Sequence, residues 1–168
     1  MIDTADLIQP DRGQNAITIH LVTKTMCEEF TKSLSSGQRT QLAAQKFEGK
    51  PGQVAIIGDS DGFMAAGGVA DTEALTSYCL AALAQRLPEG KYRLAQGDPG
   101  AAMFGWLTAH YRFTRYKDDE NATGPRILLT NQVGRIDAIR AEADAEMLVR
   151  DFVNTPAEDM GPAALEAE

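Results

Sequence analysis

The residues able to bind a metal or move a proton are few and widely spaced. His20 and His110 are the two histidines, and Cys27 and Cys79 are the two cysteines. No His-Glu-x-x-His or Cys-x-x-Cys spacing joins them, so a zinc site has no ligand set to draw on. His20 alternates with the apolar residues of a strand-like run and His110 falls on a helical pattern, so both read as structural. Cys79 lies inside an apolar helical stripe and reads as an inert buried thiol, with burial also the default for Cys27. Two distant cysteines make neither a disulfide framework nor a zinc knuckle.

Carboxylates are plentiful but local. Glu28-Glu29, Asp59 with Asp61, and Asp118-Asp119-Glu120 could serve acid–base work or hold a hard cation, yet each reads as a solvated segment. Gly97-Asp98-Pro99-Gly100-Ala101-Ala102 joins a strand to a helix start, where backbone N–H groups can hold a phosphate. It matches neither Gly-x-Gly-x-x-Gly nor the phosphate loop with its lysine, and it also reads as an ordinary turn. It carries the alternative reading of a stand-alone nucleotide or ADP-ribose binding module. Gly67-Gly68 reads as a strand bulge or a close backbone approach. Tyr111-Arg112-Phe113-Thr114-Arg115-Tyr116-Lys117 interleaves rings and cations, as base stacking would require. Against that stands a chain with 16 basic and 24 acidic residues, a net charge of −8, which disfavours general phosphate-backbone binding. The rings are read as packing inward or against another domain. No catalytic, cofactor-binding or metal-binding residue is assigned.

The elements that carry these residues follow an α/β pattern, in which helices cover a sheet. In residues 16–22, Ile17, Ile19 and Leu21 share one face of a strand. Val54-Ala55-Ile56-Ile57 is apolar on both faces, which suits a central strand, and Asp61-Gly62 turns it into a partner over Phe63 to Val69. Tyr92 to Ala95 and Ile127 to Thr130 complete five strands. A capping box at Ser35 and Gln38 starts a helix through Phe47 that Gly49-Lys50-Pro51-Gly52 ends. Asp71 or Thr72 caps a second, whose stripe of Leu75, Tyr78, Cys79, Ala82, Leu83 and Leu87 is core. Pro99 opens a third, with Met103, Trp106 and Leu107 inside, and a fourth runs from Arg135 to Asn154 before Thr155-Pro156.

With 168 residues and 43% hydrophobic composition the chain can bury one ordinary core. Its start has acids where a secretory signal needs a basic end, and no stretch approaches the ~20 apolar residues of a membrane span, so a cytoplasmic protein is expected. Residues 135–168 carry three basic and nine acidic side chains, so the chain changes character near Gly134. Gly161-Pro162 reads as a helix start, and Ala163 to Glu168 stops without a cap. So short a helix wants a partner, and a fragment of a longer protein is expected.

Gly105-Trp106-Leu107-Thr108-Ala109-His110-Tyr111-Arg112-Phe113-Thr114-Arg115-Tyr116-Lys117 resembles the G-W-x-x-x-x-Y-x-F-x-x-Y-K stretch of leucyl aminopeptidases, the cytosol aminopeptidase (M17) family. Arg150-Asp151-Phe152-Val153-Asn154-Thr155-Pro156, continuing to Pro162, resembles the family's R-D-x-V-N-x-P signature, and Phe47 to Gln53 fits more loosely. The resemblance implies a macro-domain-like mixed sheet flanked by helices over 1–134. An interdomain helix over 135–154 and the start of a catalytic domain over 155–168 would follow. It also implies a parent enzyme that removes N-terminal residues from peptides with two divalent metal ions, Zn or Mn. Their ligands would all lie beyond Glu168, so this chain alone is expected to be inactive. Its implied partners are its own catalytic domain and further copies in a hexamer, with peptides as substrates of the parent. Nucleic acid and membrane are not expected partners.

Overall fold

The computed structural model describes residues 4–60, 62–116, 124–159 and 161. Asp61, Lys117, the Asp118-Asp119-Glu120 cluster and the helix expected after Pro162 lie outside the described residues. Six strands form one mixed sheet: β1 (Ile8–Pro10), β2 (Ile17–Val22), β3 (Val54–Asp59), β4 (Gly62–Gly68), β5 (Gly90–Leu94) and β6 (Arg126–Thr130). Their order is β1-β6-β5-β2-β4-β3, and every neighbouring pair is parallel except the β3–β4 hairpin. Among the described residues, five α-helices cover it: α1 (Cys27–Ser33), α2 (Ser36–Ala44), α3 (Ala81–Arg86), α4 (Ala102–Thr108) and α5 (Ile136–Asn154).

Strand alternation divides the apolar residues between two layers. Ile19, Ala65, Tyr92 and Leu128 meet Leu83 of α3, Trp106 of α4 and Ile139 and Ala143 of α5 in the larger core. Val22, Ala55, Ile57 and Ala66 point the other way, against Leu42 of α2, Leu34 and Phe47, with Cys27 and Phe30 of α1 at the margin. The face of β2 carrying Ile17, Ile19 and Leu21 is the one turned to the larger core. The mixed α/β expectation therefore holds, including a long helix whose start lies one residue from Arg135. That helix packs on the same core through Ile136, Ile139, Ala143 and Met147, at three- and four-residue spacing.

Several local expectations are corrected. The sheet has a sixth strand, β1, which is only three residues long and ends in proline, too short for a periodic signal. The 54–57 run is an edge strand, not a central one. Its outer edge is closed by side chains of α2 and its C-cap: Gln45, the cap residue, donates to Ile56 O at 2.7 Å and accepts from Ile56 N at 2.9 Å, while Gln41 accepts from Gly58 N at 2.6 Å. Those amides replace a neighbouring strand, and helix cover explains the apolar sequence. The capping box forms as expected, but α2 ends at Ala44. Lys46 takes a left-handed φ of 52°. Its N–H reaches Ala43 O and that of Phe47 reaches Leu42 O, a Schellman closure without glycine. Cys27–Ser33, unassigned in the sequence, is helical.

The largest difference concerns residues 71–80, where α-helix is confined to Ala81–Arg86. Asp71 does accept from Glu73 and Ala74 N–H, as a cap would, yet the turn does not propagate. Ser77 O is instead taken by Gly105 N at 2.8 Å, and Thr76 N donates to Cys79 Sγ at 3.2 Å. A Cβ on Gly105 would stand 2.4 Å from Ser77 O, so this backbone contact needs glycine. In consequence Tyr78 is exposed and Cys79 half-buried, contrary to the expected buried stripe; Cys27, in α1 on the other face of the sheet, is also half-buried and not the buried thiol expected. The Gly67-Gly68 pair is a close approach: a Cβ on Gly68 would lie 2.0 Å from Lys50 O.

Candidate functional site

The two sequence motifs, about forty residues apart, meet in space. After α4 the chain leaves as an irregular segment through Tyr111 and Phe113, and the last turns of α5 present Arg150, Asp151 and Asn154 to it. The Tyr111 hydroxyl donates to Asp151 Oδ1 at 2.7 Å and accepts from Asn154 Nδ2 at 3.1 Å. Arg150 lies 5.6 Å from the centre of the Tyr111 ring, in cation–π range, and reaches Thr108 O at 3.4 Å. Glu146 one turn back holds the same guanidinium, with Nη2 to Oε1 at 3.0 Å. Farther out, the Tyr116 hydroxyl bonds to Asp159 and its ring sits 5.8 Å from Phe113. Burial, assisted by Asp151, pushes the Tyr111 phenol above its ordinary range, so it stays a donor at neutral pH. Thr155 closes α5 in an extended conformation, as the following Pro156 requires, and its hydroxyl returns to Asp151 O at 2.7 Å. The constellation is a clasp: it fixes where α5 ends and in which direction the chain departs.

The motif's other half is core. The Trp106 indole donates to Arg126 O at 2.9 Å, and His110 Nδ1 lies 2.8 Å from Trp106 O. Arg126 N–H points at His110 Nε2 from 3.4 Å, which fits a neutral ring with its proton on Nδ1. Burial drives the His110 pKa down to about 4, and burial raises that of neighbouring Tyr92 to about 12. Neither group is poised for proton transfer near neutral pH. His20 is half-buried against the Phe30 ring at 5.5 Å, as its structural reading expects.

In the 97–102 loop two amides, and one just beyond it, are already taken. Gly100 N–H is already bound to Gln132 Oε1 at 3.0 Å, Ala102 N–H to Pro99 O at 2.9 Å and Phe104 N–H to Ala101 O at 3.1 Å. Among the described residues, no group of three or more His, Cys, Asp or Glu side chains is placed to hold a metal ion, and the donor set therefore does not fit a two-metal centre. No helix among them is long and apolar enough to cross a membrane.

Beside the clasp, the outward side of α5 is apolar. Leu148, Val149 and Val153 are 37%, 55% and 79% exposed. The sequence reading missed this second stripe, as well as the pairing of its own two motifs. Leu148, Val149, Phe152 and Val153 exceed what one buried face of a helix requires, a signal that was legible.

Residues 17–129 match the family model described as "M17 aminopeptidase, N-terminal domain". No curated protein matches the chain. Among solved structures, a cytosol aminopeptidase from Coxiella burnetii is similar at TM-score 0.77 and 24% identity, over 97% of this chain and 36% of that one. The bottromycin maturation enzyme BotP is similar at TM-score 0.65 and 22% identity, over 91% of this chain and 36% of its own. A variant of tomato leucine aminopeptidase follows at TM-score 0.67 and 16% identity, over 94% and 39%. The chain thus spans well under half the length of each.

Proposed function

The chain belongs to the M17 aminopeptidase N-terminal domain family, and from that premise we propose that it is the non-catalytic front domain of a leucyl-type metallo-aminopeptidase. The family match over residues 17–129 carries this reading, and the likeness to about a third of the length of a solved cytosol aminopeptidase supports it. In this proposal the complete protein removes N-terminal residues from peptides in the cytoplasm. Two divalent ions, manganese or zinc, would polarise the scissile carbonyl and supply the nucleophile. One relative, BotP, is solved in complex with Mn. Since the described residues offer no such ligand set, the ions are assigned to a catalytic domain that follows this chain.

The work left for residues 1–134 is to position that catalytic domain and to contribute to a homo-oligomer, a hexamer on the resemblance. Residues 135–154 are the connecting helix and residues 155–168 open the catalytic domain. The clasp supports this assignment because it sets the exit direction of the chain at Thr155, and the exposed Val149 and Val153 supply an apolar face for a neighbouring domain. The experiment is a leucyl-substrate assay with added Mn²⁺ or Zn²⁺, run on the 168-residue chain and on the native product isolated from its own cells. Hydrolysis by the native product alone, at an intact mass well above 18.1 kDa, is the expected result. Hydrolysis by the 168-residue chain, or a native mass of 18.1 kDa, would overturn the proposal.

A further inference from the structure

On the sheet face away from α5, an open groove of about 750 Å³ runs between α1, Arg39 of α2 and the loop that follows α2. Its floor is apolar: the Phe47 ring, the Cys27 thiol, whose Sγ lies 3.8 Å from Phe47 O, and the side of Thr31. Its rim is charged, and the bookkeeping of that rim is uneven. Glu28 is bound to Lys32 at 2.6 Å, and Glu48 is bound to Lys50. Lys24 and Arg39 also face the groove; neither makes an ion pair within 4 Å with a described residue, and Lys24 shares the Glu48 carboxylate with Lys50 at longer range. In a chain of net charge −8, the groove therefore keeps two cations in excess of its carboxylates. Cations placed together cost repulsion unless an anion answers them, and a concave apolar floor under a few charged groups is the usual form of a small-ligand site.

We propose that this groove binds a small organic anion, a phosphate or carboxylate head carried on an aromatic or aliphatic body. The head pairs with Lys24 and Arg39, and the body lies on Phe47, Cys27 and Thr31. The site is independent of the aminopeptidase reading, because it stands on the opposite face of the sheet from the clasp and uses none of its residues.

Phenyl phosphate is a suitable probe, titrated into the ¹⁵N-labelled 168-residue chain and followed by amide chemical shifts, with inorganic phosphate and benzyl alcohol in parallel. The expected result is saturable shifts confined to residues 24–32, 39 and 47–50. Binding should be at least tenfold tighter than for either half-probe, and should weaken as salt rises. Lys24→Glu combined with Arg39→Glu should lower the affinity at least tenfold while the spectrum stays dispersed. Should that pair fail to fold, Lys24→Gln with Arg39→Gln takes its place. Shifts scattered over all surface cations, equal binding of inorganic phosphate, or unchanged affinity in the double variant would each overturn the proposal. A nucleic-acid oligomer that shifted the same residues more tightly than phenyl phosphate would do so too.

Discussion

His110 carries the clearest pH signature of any single residue. It is 4% exposed, with one ring nitrogen at Trp106 O and the other facing Arg126 N–H, and its pKa falls to about 4 from an ordinary 6.5. The unfolded chain therefore binds more protons between those values, so stability is full above pH 6.5 and declines on acidification toward pH 4. At 1.36 kcal/mol per pKa unit the loss is about 3 kcal/mol at most. Urea unfolding across that window should reveal the slope, and His110→Gln should flatten it; an equally steep slope in the variant would assign the effect elsewhere. The structural role of His110 was readable from its place on an apolar helix pattern. Its partner was not, because Arg126 lies sixteen residues on and its backbone comes into range only when β6 joins the sheet. The clasp was hidden for the same reason: Tyr111 and Asp151 each sit in a recognisable motif, but nothing local says that one hydroxyl reaches the other carboxylate.

Among the elements, β3 and α2 form the most testable pair. Gln41 of α2 and Gln45, the C-cap residue one turn on, satisfy the outward N–H and C=O groups of Ile56 and the N–H of Gly58. Gln41→Ala with Gln45→Ala should expose that edge, at a cost of roughly 1–3 kcal/mol for the orphaned groups. An open edge also recruits other strands, so concentration-dependent self-association should appear in light scattering. A variant with wild-type stability and mass would mean that water replaces the glutamines without loss. Where local physics governs, the sequence read correctly: the capping box of α2, the β3–β4 hairpin and the span of α5 are all written in nearby residues. Where tertiary hydrogen bonds override propensity, it did not. Ser77 gives its carbonyl to Gly105 rather than to a helix, and the apolar run of β3 lies at an edge because side-chain amides cover it.

For the whole molecule, the two sides of α5 make a sharp contrast. One side is sealed against the core by Ile139, Ala143 and Met147, while Val149 and Val153 stand in solvent. Val149→Ser with Val153→Ser should leave the thermal stability of the 168-residue chain within about 0.5 kcal/mol of the parent, since the side chains bury little there. In a product that carries the proposed catalytic domain, the same pair should speed proteolytic release of this domain, measured by fragment yield over time. Equal release in both would deny these residues a role between domains. Topology adds a consequence in time. The outermost strand β1 pairs only with β6, joining Ile8 to Leu128, and Thr4 is bound to Asp144 of α5 at 2.7 Å. During synthesis at about 5–20 residues per second, the first strand therefore waits on the order of 6–24 s for its partner to emerge from the ribosome. Until then the three residues of β1 have no strand to pair with, and the first tie on this end of the chain is made by Arg93 of β5, which grips Asp11 and Gln14.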